Sequence, residues 1–160
     1  MLKFVYLLWL ASVLPLIASE KNWPPSQVEV MGRETEVFRH GSREGWGYSK
    51  YQEDTFVVVH PKVARENAPL YVVLHSAGHD VWSAIKCTDQ VGNHDIYRSP
   101  DDFYALYLDC RANAGDWWWG GMHPRVGDTM EKNAGGELMP TEKRIIGTVQ
   151  WVIEQYGIDP

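Results

Sequence analysis

The stretch Leu70-Tyr71-Val72-Val73-Leu74-His75-Ser76-Ala77-Gly78 decides how this chain is read. Five apolar residues follow Pro69 without a polar break, which is the composition of a strand buried on both faces, and such strands belong to parallel sheets. Small residues then take over and mark a tight loop. Phe103-Tyr104-Ala105-Leu106-Tyr107-Leu108 repeats the pattern and ends at Asp109, giving a second buried strand. Upstream, Glu34 to His40 and Tyr51 to His60 have strand-like content, the latter with the β-branched run Val57-Val58-Val59 closed by Pro61. Gly41, Gly45 and Gly47 mark a turn between them, so these segments are read as an antiparallel pair. A short helix is placed near Val81 to Ile85. Downstream, Thr141 is read as the cap of a helix whose apolar residues Ile145, Val149, Val152, Ile153 and Tyr156 recur at the 3.6-residue period, with Gly157 as its left-handed end. Strands alternating with crossovers after an antiparallel start predict an α/β fold: a mostly parallel sheet with antiparallel N-terminal strands and helices on both faces. A sheet of that kind takes another strand after the last helix, so the domain is expected to be incomplete at Pro160.

Composition bounds the rest. A chain of 160 residues, 44% hydrophobic and 22% charged, holds one globular domain and lacks the bias of a disordered chain. Its formal charge of −6 and the absence of any Lys/Arg run exclude the electrostatic footprint of nucleic-acid binding. Lys3, the apolar run Phe4 to Ile17 and the small pair Ala18-Ser19 read as a secretory signal peptide over residues 1–19. The run is shorter than the roughly 20 residues of a helical membrane span, so no membrane attachment is expected once the signal is cleaved. The expected location is secreted or periplasmic. Residues 20–27, with Pro24-Pro25, form an extended leader, and the domain is placed at 28–160. Cys87 and Cys110 would then sit where disulfides persist, bridged to one another, left as buried thiols, or with one of them paired to a cysteine outside this sequence.

Ligands of open α/β sheets bind beyond the carboxyl ends of the strands, which puts the residues after Leu74 in view. In His75-Ser76-Ala77-Gly78 small side chains let backbone N–H groups face a crevice, as an oxyanion hole needs. His75 and His79 stand four apart, but a metal pair at that spacing needs a helix and this segment reads as a loop. No metal and no cofactor is assigned. Trp117-Trp118-Trp119 lies in a Gly-bounded loop and has two readings: a stacking platform for an aromatic or sugar group, or an anchor plugging a hydrophobic gap.

With these motifs in order, the segment from roughly Thr55 to Pro160 resembles the secreted, esterase-like and prolyl-oligopeptidase-like members of the α/β-hydrolase superfamily. The resemblance is carried by the His75 to Gly78 loop, by Leu108-Asp109, by Gly115-Asp116-Trp117-Trp118-Trp119-Gly120-Gly121, and by the helix ending in Tyr156-Gly157-Ile158-Asp159-Pro160. It implies hydrolysis of a carboxylic ester by acyl transfer through a serine, with the Ala77 N–H as oxyanion donor and His75, Ser76 and Gly78 shaping its loop. Ser76 stands where that family's loop has glycine. The substrate implied is a small-molecule or polysaccharide-linked ester, bound in part by Trp117, Trp118 and Trp119. The nucleophile elbow would follow Pro160, so the chain is expected to be an inactive N-terminal part. Two alternatives stay open: Ser76 as the nucleophile itself, and a non-catalytic carbohydrate-binding module on an all-β frame that uses the Trp cluster.

Overall fold

The computed structural model describes residues 26–40, 54–76, 78–88, 97–110, 118, 138 and 140–158. Five strands, β1 (Ser26–Val30), β2 (Arg33–His40), β3 (Asp54–Val59), β4 (Leu70–Leu74) and β5 (Tyr104–Leu108), form one sheet in the order β1-β2-β3-β5-β4. Two helices accompany them, α1 (Val81–Thr88) and α2 (Pro140–Tyr156). The β1-β2, β2-β3 and β3-β5 pairings are antiparallel, and only β4-β5 is parallel.

This corrects the expected fold class. The sheet is mixed and mostly antiparallel, and with two helices among the described residues it is not the helix-rich, mostly parallel α/β-hydrolase-like layout that the apolar runs suggested. The physical reason lies in β4. Its unbroken apolar run was read as burial on both faces, yet Val72 and Leu74 remain 37% and 40% exposed. Among the described residues β4 pairs with β5 alone and forms the sheet edge. Apolar composition signals a strand but does not say whether both of its flanks are covered.

Strand β1 begins at Ser26 and forms a hairpin with β2. Met31 and Gly32 connect Val30 to its partner Arg33 with φ of 56° and 66°. Two positive φ values in a two-residue loop are those of a type I′ turn, whose twist matches that of the strands. The glycine turn proposed over 41–47 lies outside the described residues.

Alternation along the strands separates two cores, one on each face. Val57, Val59, Val73, Ala105 and Tyr107 face Val81, Ala84 and Ile85 of α1. Phe56, Val58, Leu106 and Leu108 face Val152, with Ile145, Val149, Ile153 and Tyr156 packed alongside on α2. Cys87 packs with the first core and Cys110 belongs to the second, on the opposite face of the sheet, and both thiols are free. An internal bridge would have to cross the sheet.

Helix α2 starts at Pro140, so Thr141 lies inside its first turn. Proline at the first helical position loses nothing, because its missing N–H would have had no intrahelical acceptor. At the other end Gly157 has φ 62°, and the Ile158 N–H donates to the Ile153 carbonyl at 3.0 Å, a Schellman closure that also buries Ile158. No described helix is long and apolar enough to cross a membrane.

Candidate functional site

The parallel pair β4-β5 ends at Leu74 and Leu108, so His75 and Asp109 leave the sheet side by side. Each is buried, His75 to 1% exposure. The His75 ring turns inward. Its Nδ1 lies 3.1 Å from the Ser76 carbonyl, and its Nε2 faces the Asp109 carboxylate at 3.5 Å, the Cys110 thiol at 3.5 Å and the Cys110 N–H at 3.3 Å.

Those neighbours make opposed demands on Nε2. The amide of Cys110 wants a neutral nitrogen that accepts, whereas the carboxylate and the sulfur want one that carries a proton. Burial also disfavours the charged ring, but hydrogen bonding to Asp109, Cys110 and the Ser76 carbonyl outweighs it, and the His75 pKa is pushed up to about 10. The shift favours the charged form of a ring that a buried carboxylate faces. Cys110 and Asp109 share one ring nitrogen, so the three residues do not form a nucleophile–base–acid relay, which needs the two nitrogens to serve different partners.

Further groups fix this corner. The Trp118 indole N–H donates to the His75 carbonyl at 2.6 Å, and its ring meets the imidazole edge-on at 4.7 Å. Arg144, buried on α2, donates from Nη1 to the Asp109 carbonyl at 2.7 Å. The Asp109 carboxylate also lies 3.5 Å from the Val81 N–H, at the electropositive start of α1.

The loop between β4 and α1 is tied at both ends. The His79 N–H donates to the Ser76 carbonyl at 3.1 Å, closing a four-residue turn. Gly78 precedes His79 with φ 79°, the left-handed region that favours glycine. Space does not demand the glycine, since a Cβ there would meet nothing within 4 Å. Asp80 then caps α1 reciprocally with Ser83: the Ser83 N–H donates to Asp80 Oδ1 at 2.6 Å, and the Asp80 N–H donates to Ser83 Oγ at 2.7 Å.

The residues expected to act together separate as follows. Ser76 and Gly78 lie exposed on the loop surface, while His75 lies beneath it. Ala77, Trp117 and Trp119 lie outside the described residues. Trp118 is 4% exposed and spends its N–H on the loop's own backbone, which is an anchoring position. No group of three or more His, Cys, Asp or Glu among the described residues has the geometry to hold a metal ion. Comparison with protein-family models, with curated proteins and with solved structures gives no match.

Four residues at this corner were not read as functional from the sequence. Asp109 and Cys110 follow an apolar run, and a buried aspartate after a strand was a signal within reach. Tyr97 and Arg144 carried no local pattern: only the fold brings a tyrosine 21 residues away to Ser76 and a helix arginine to Asp109.

Proposed function

We propose that the His75 to Gly78 loop is the oxyanion-binding element of a secreted hydrolase that cleaves carboxylic esters by acyl transfer to a serine. The observation that carries this reading is the placement of a small-residue turn at the carboxyl ends of the parallel pair, with its exposed side open and its underside fixed by a buried His75–Asp109 pair. Oxyanion stabilisation asks for donors that do not reorganise as charge develops, and a loop tethered by Trp118, Asp109 and the Asp80 cap meets that demand. In this reading the Ala77 N–H donates to the tetrahedral oxyanion and Gly78 sets the turn. Losing one such donor costs about 2.7–4 kcal/mol of transition-state stabilisation in hydrolases.

Ser76 is not the attacking group in this scheme. A serine nucleophile needs a base at its oxygen, whereas the His75 ring turns away to Asp109 and Cys110, and the Ser76 hydroxyl accepts from Tyr97. The attacking serine is supplied from outside this loop. The carbohydrate-module reading is weaker because a seventeen-residue helix packs on one face of the sheet and Trp118 is buried.

The test is labelling of the protein isolated from its natural source with a fluorophosphonate, followed by peptide mapping. Label on a serine other than Ser76 is expected. Label on Ser76 would make it the nucleophile, and no label on any serine would remove the serine-hydrolase reading.

A further inference from the structure

Tyr97 is buried, and its hydroxyl meets Ser76 twice: it accepts the Ser76 N–H at 2.9 Å and donates to Ser76 Oγ at 2.7 Å. The Tyr97 carbonyl accepts in turn from the Tyr107 hydroxyl at 2.7 Å, so strand β5 holds the residue that holds the loop. Valence then fixes what Ser76 can offer. Its N–H is spent on Tyr97, and its carbonyl takes the His79 N–H and faces His75 Nδ1. Its hydroxyl oxygen receives the phenol's proton, the sensible direction because a phenol is the better donor and an aliphatic hydroxyl the better acceptor. What remains is the hydroxyl proton of an exposed residue, on an oxygen already polarised by the bond it accepts.

We propose that Tyr97 is the positioning residue of this loop, fixing Ser76 so that its hydroxyl proton faces outward as a donor to the carbonyl oxygen of the bound ester. The proposal rests on the ester-hydrolase reading for the identity of the acceptor, while the hold of Tyr97 on Ser76 stands apart from it. No proton is transferred in this step. The Ser76 O–H strengthens its hydrogen bond as charge grows on the substrate oxygen, and the Tyr97 O–H strengthens in sympathy. Tyr97 touches no substrate, and its effect reaches the reaction through Ser76 alone.

The experiment uses the protein isolated from its natural source and the same full-length protein carrying Tyr97→Phe, Ser76→Ala or both. It measures amide hydrogen exchange at position 76 and hydrolysis of p-nitrophenyl acetate. Tyr97→Phe should speed exchange at Ser76 by roughly tenfold, the equivalent of one ordinary hydrogen bond, with the Tyr107 amide unchanged. Ser76→Ala keeps the N–H, so exchange at position 76 should stay slow. Each single variant should lower kcat on the order of 10²-fold with KM held, and the double variant should be no worse than the Ser76→Ala single. Unchanged exchange at Ser76 in Tyr97→Phe would overturn the positioning role, and losses that multiply in the double variant would overturn action through Ser76. Absence of ester turnover in the unmodified protein would remove the donor role together with the hydrolase reading, and exchange would still decide whether Tyr97 holds the loop.

Discussion

Each end of the sheet carries a histidine against a carboxylate, and the two pairs are built for different work. At the amino end of β5, His60 meets Glu36 at 3.0 Å with both side chains about one-fifth exposed, and the Tyr156 hydroxyl donates to the same carboxylate oxygen. The rings of His60, Tyr104 and Tyr156 pack against one another at 5.3–5.4 Å, so α2 is clasped to the sheet with no room between the rings. Burial and the neighbouring Glu36 push the Tyr156 hydroxyl pKa up, which keeps that donor protonated. Arg33 completes this end by donating to the His60, Pro100 and Phe103 carbonyls and to Ser99. At the carboxyl end, His75 and Asp109 are almost wholly enclosed, and an exposed turn rides on top of them. One end is a clasp between elements; the other is a buried histidine–carboxylate pair supporting a surface loop.

The largest expected difference between the ends comes from removing one partner of each pair. Asp109→Ala removes the carboxylate that faces the buried His75 ring and should cost about 3–5 kcal/mol in urea unfolding. Glu36→Gln, at a site water still reaches, should cost about 1 kcal/mol. Equal losses would mean that the two ends are held in the same way.

Trp118→Phe keeps a ring over His75 but deletes the donor to its carbonyl, for an expected cost of about 1–3 kcal/mol. The loss should appear in the equilibrium midpoint and in faster exchange of the loop amides, with the Glu36 end unmoved.

The pH dependence sharpens the contrast. His75 titrates near 6.5 when unfolded and is pushed up to about 10 in the fold, so its stabilisation is fully present below 6.5 and is lost as pH rises through about 10. Between those limits it should lower stability by up to about 1.4 kcal/mol per pH unit. Urea melts at successive pH values, compared with His75→Phe, would isolate that slope. A slope unchanged by His75→Phe would show the ring to be neutral in the fold.

The smallest effect lies in the β1-β2 hairpin, at the same end of the sheet as His60. Gly32→Ala places a Cβ on a residue with φ 66° and should cost about 1 kcal/mol without touching the loop.

Much of the element order was legible in the sequence, because period-2 and period-3.6 patterns are local. The strands at Phe56, Val72 and Leu106 and the helix through Val152 are found where their apolar residues placed them. Strand direction was not legible. Antiparallel β3 and parallel β4 are both short apolar runs, and whether Val72 is covered depends on neighbours that no local window contains. The hairpin at Met31-Gly32 was missed because Pro24-Pro25 drew the reading toward an extended leader, although Val28-Glu29-Val30 alternates as a half-buried strand does. At the candidate site, the small-residue turn after β4 was visible from composition alone. Its support was not, since Asp109, Tyr97, Trp118 and Arg144 reach His75 and Ser76 only through the folded sheet.

The most direct measurement of the central claim is p-nitrophenyl acetate turnover by the protein isolated from its natural source, compared between a variant at each end. The account predicts turnover in the unmodified protein, turnover retained in Glu36→Gln, and kcat lowered on the order of 10²-fold in Ser76→Ala with KM held. No turnover in the unmodified protein, or equal turnover in both variants, would contradict it.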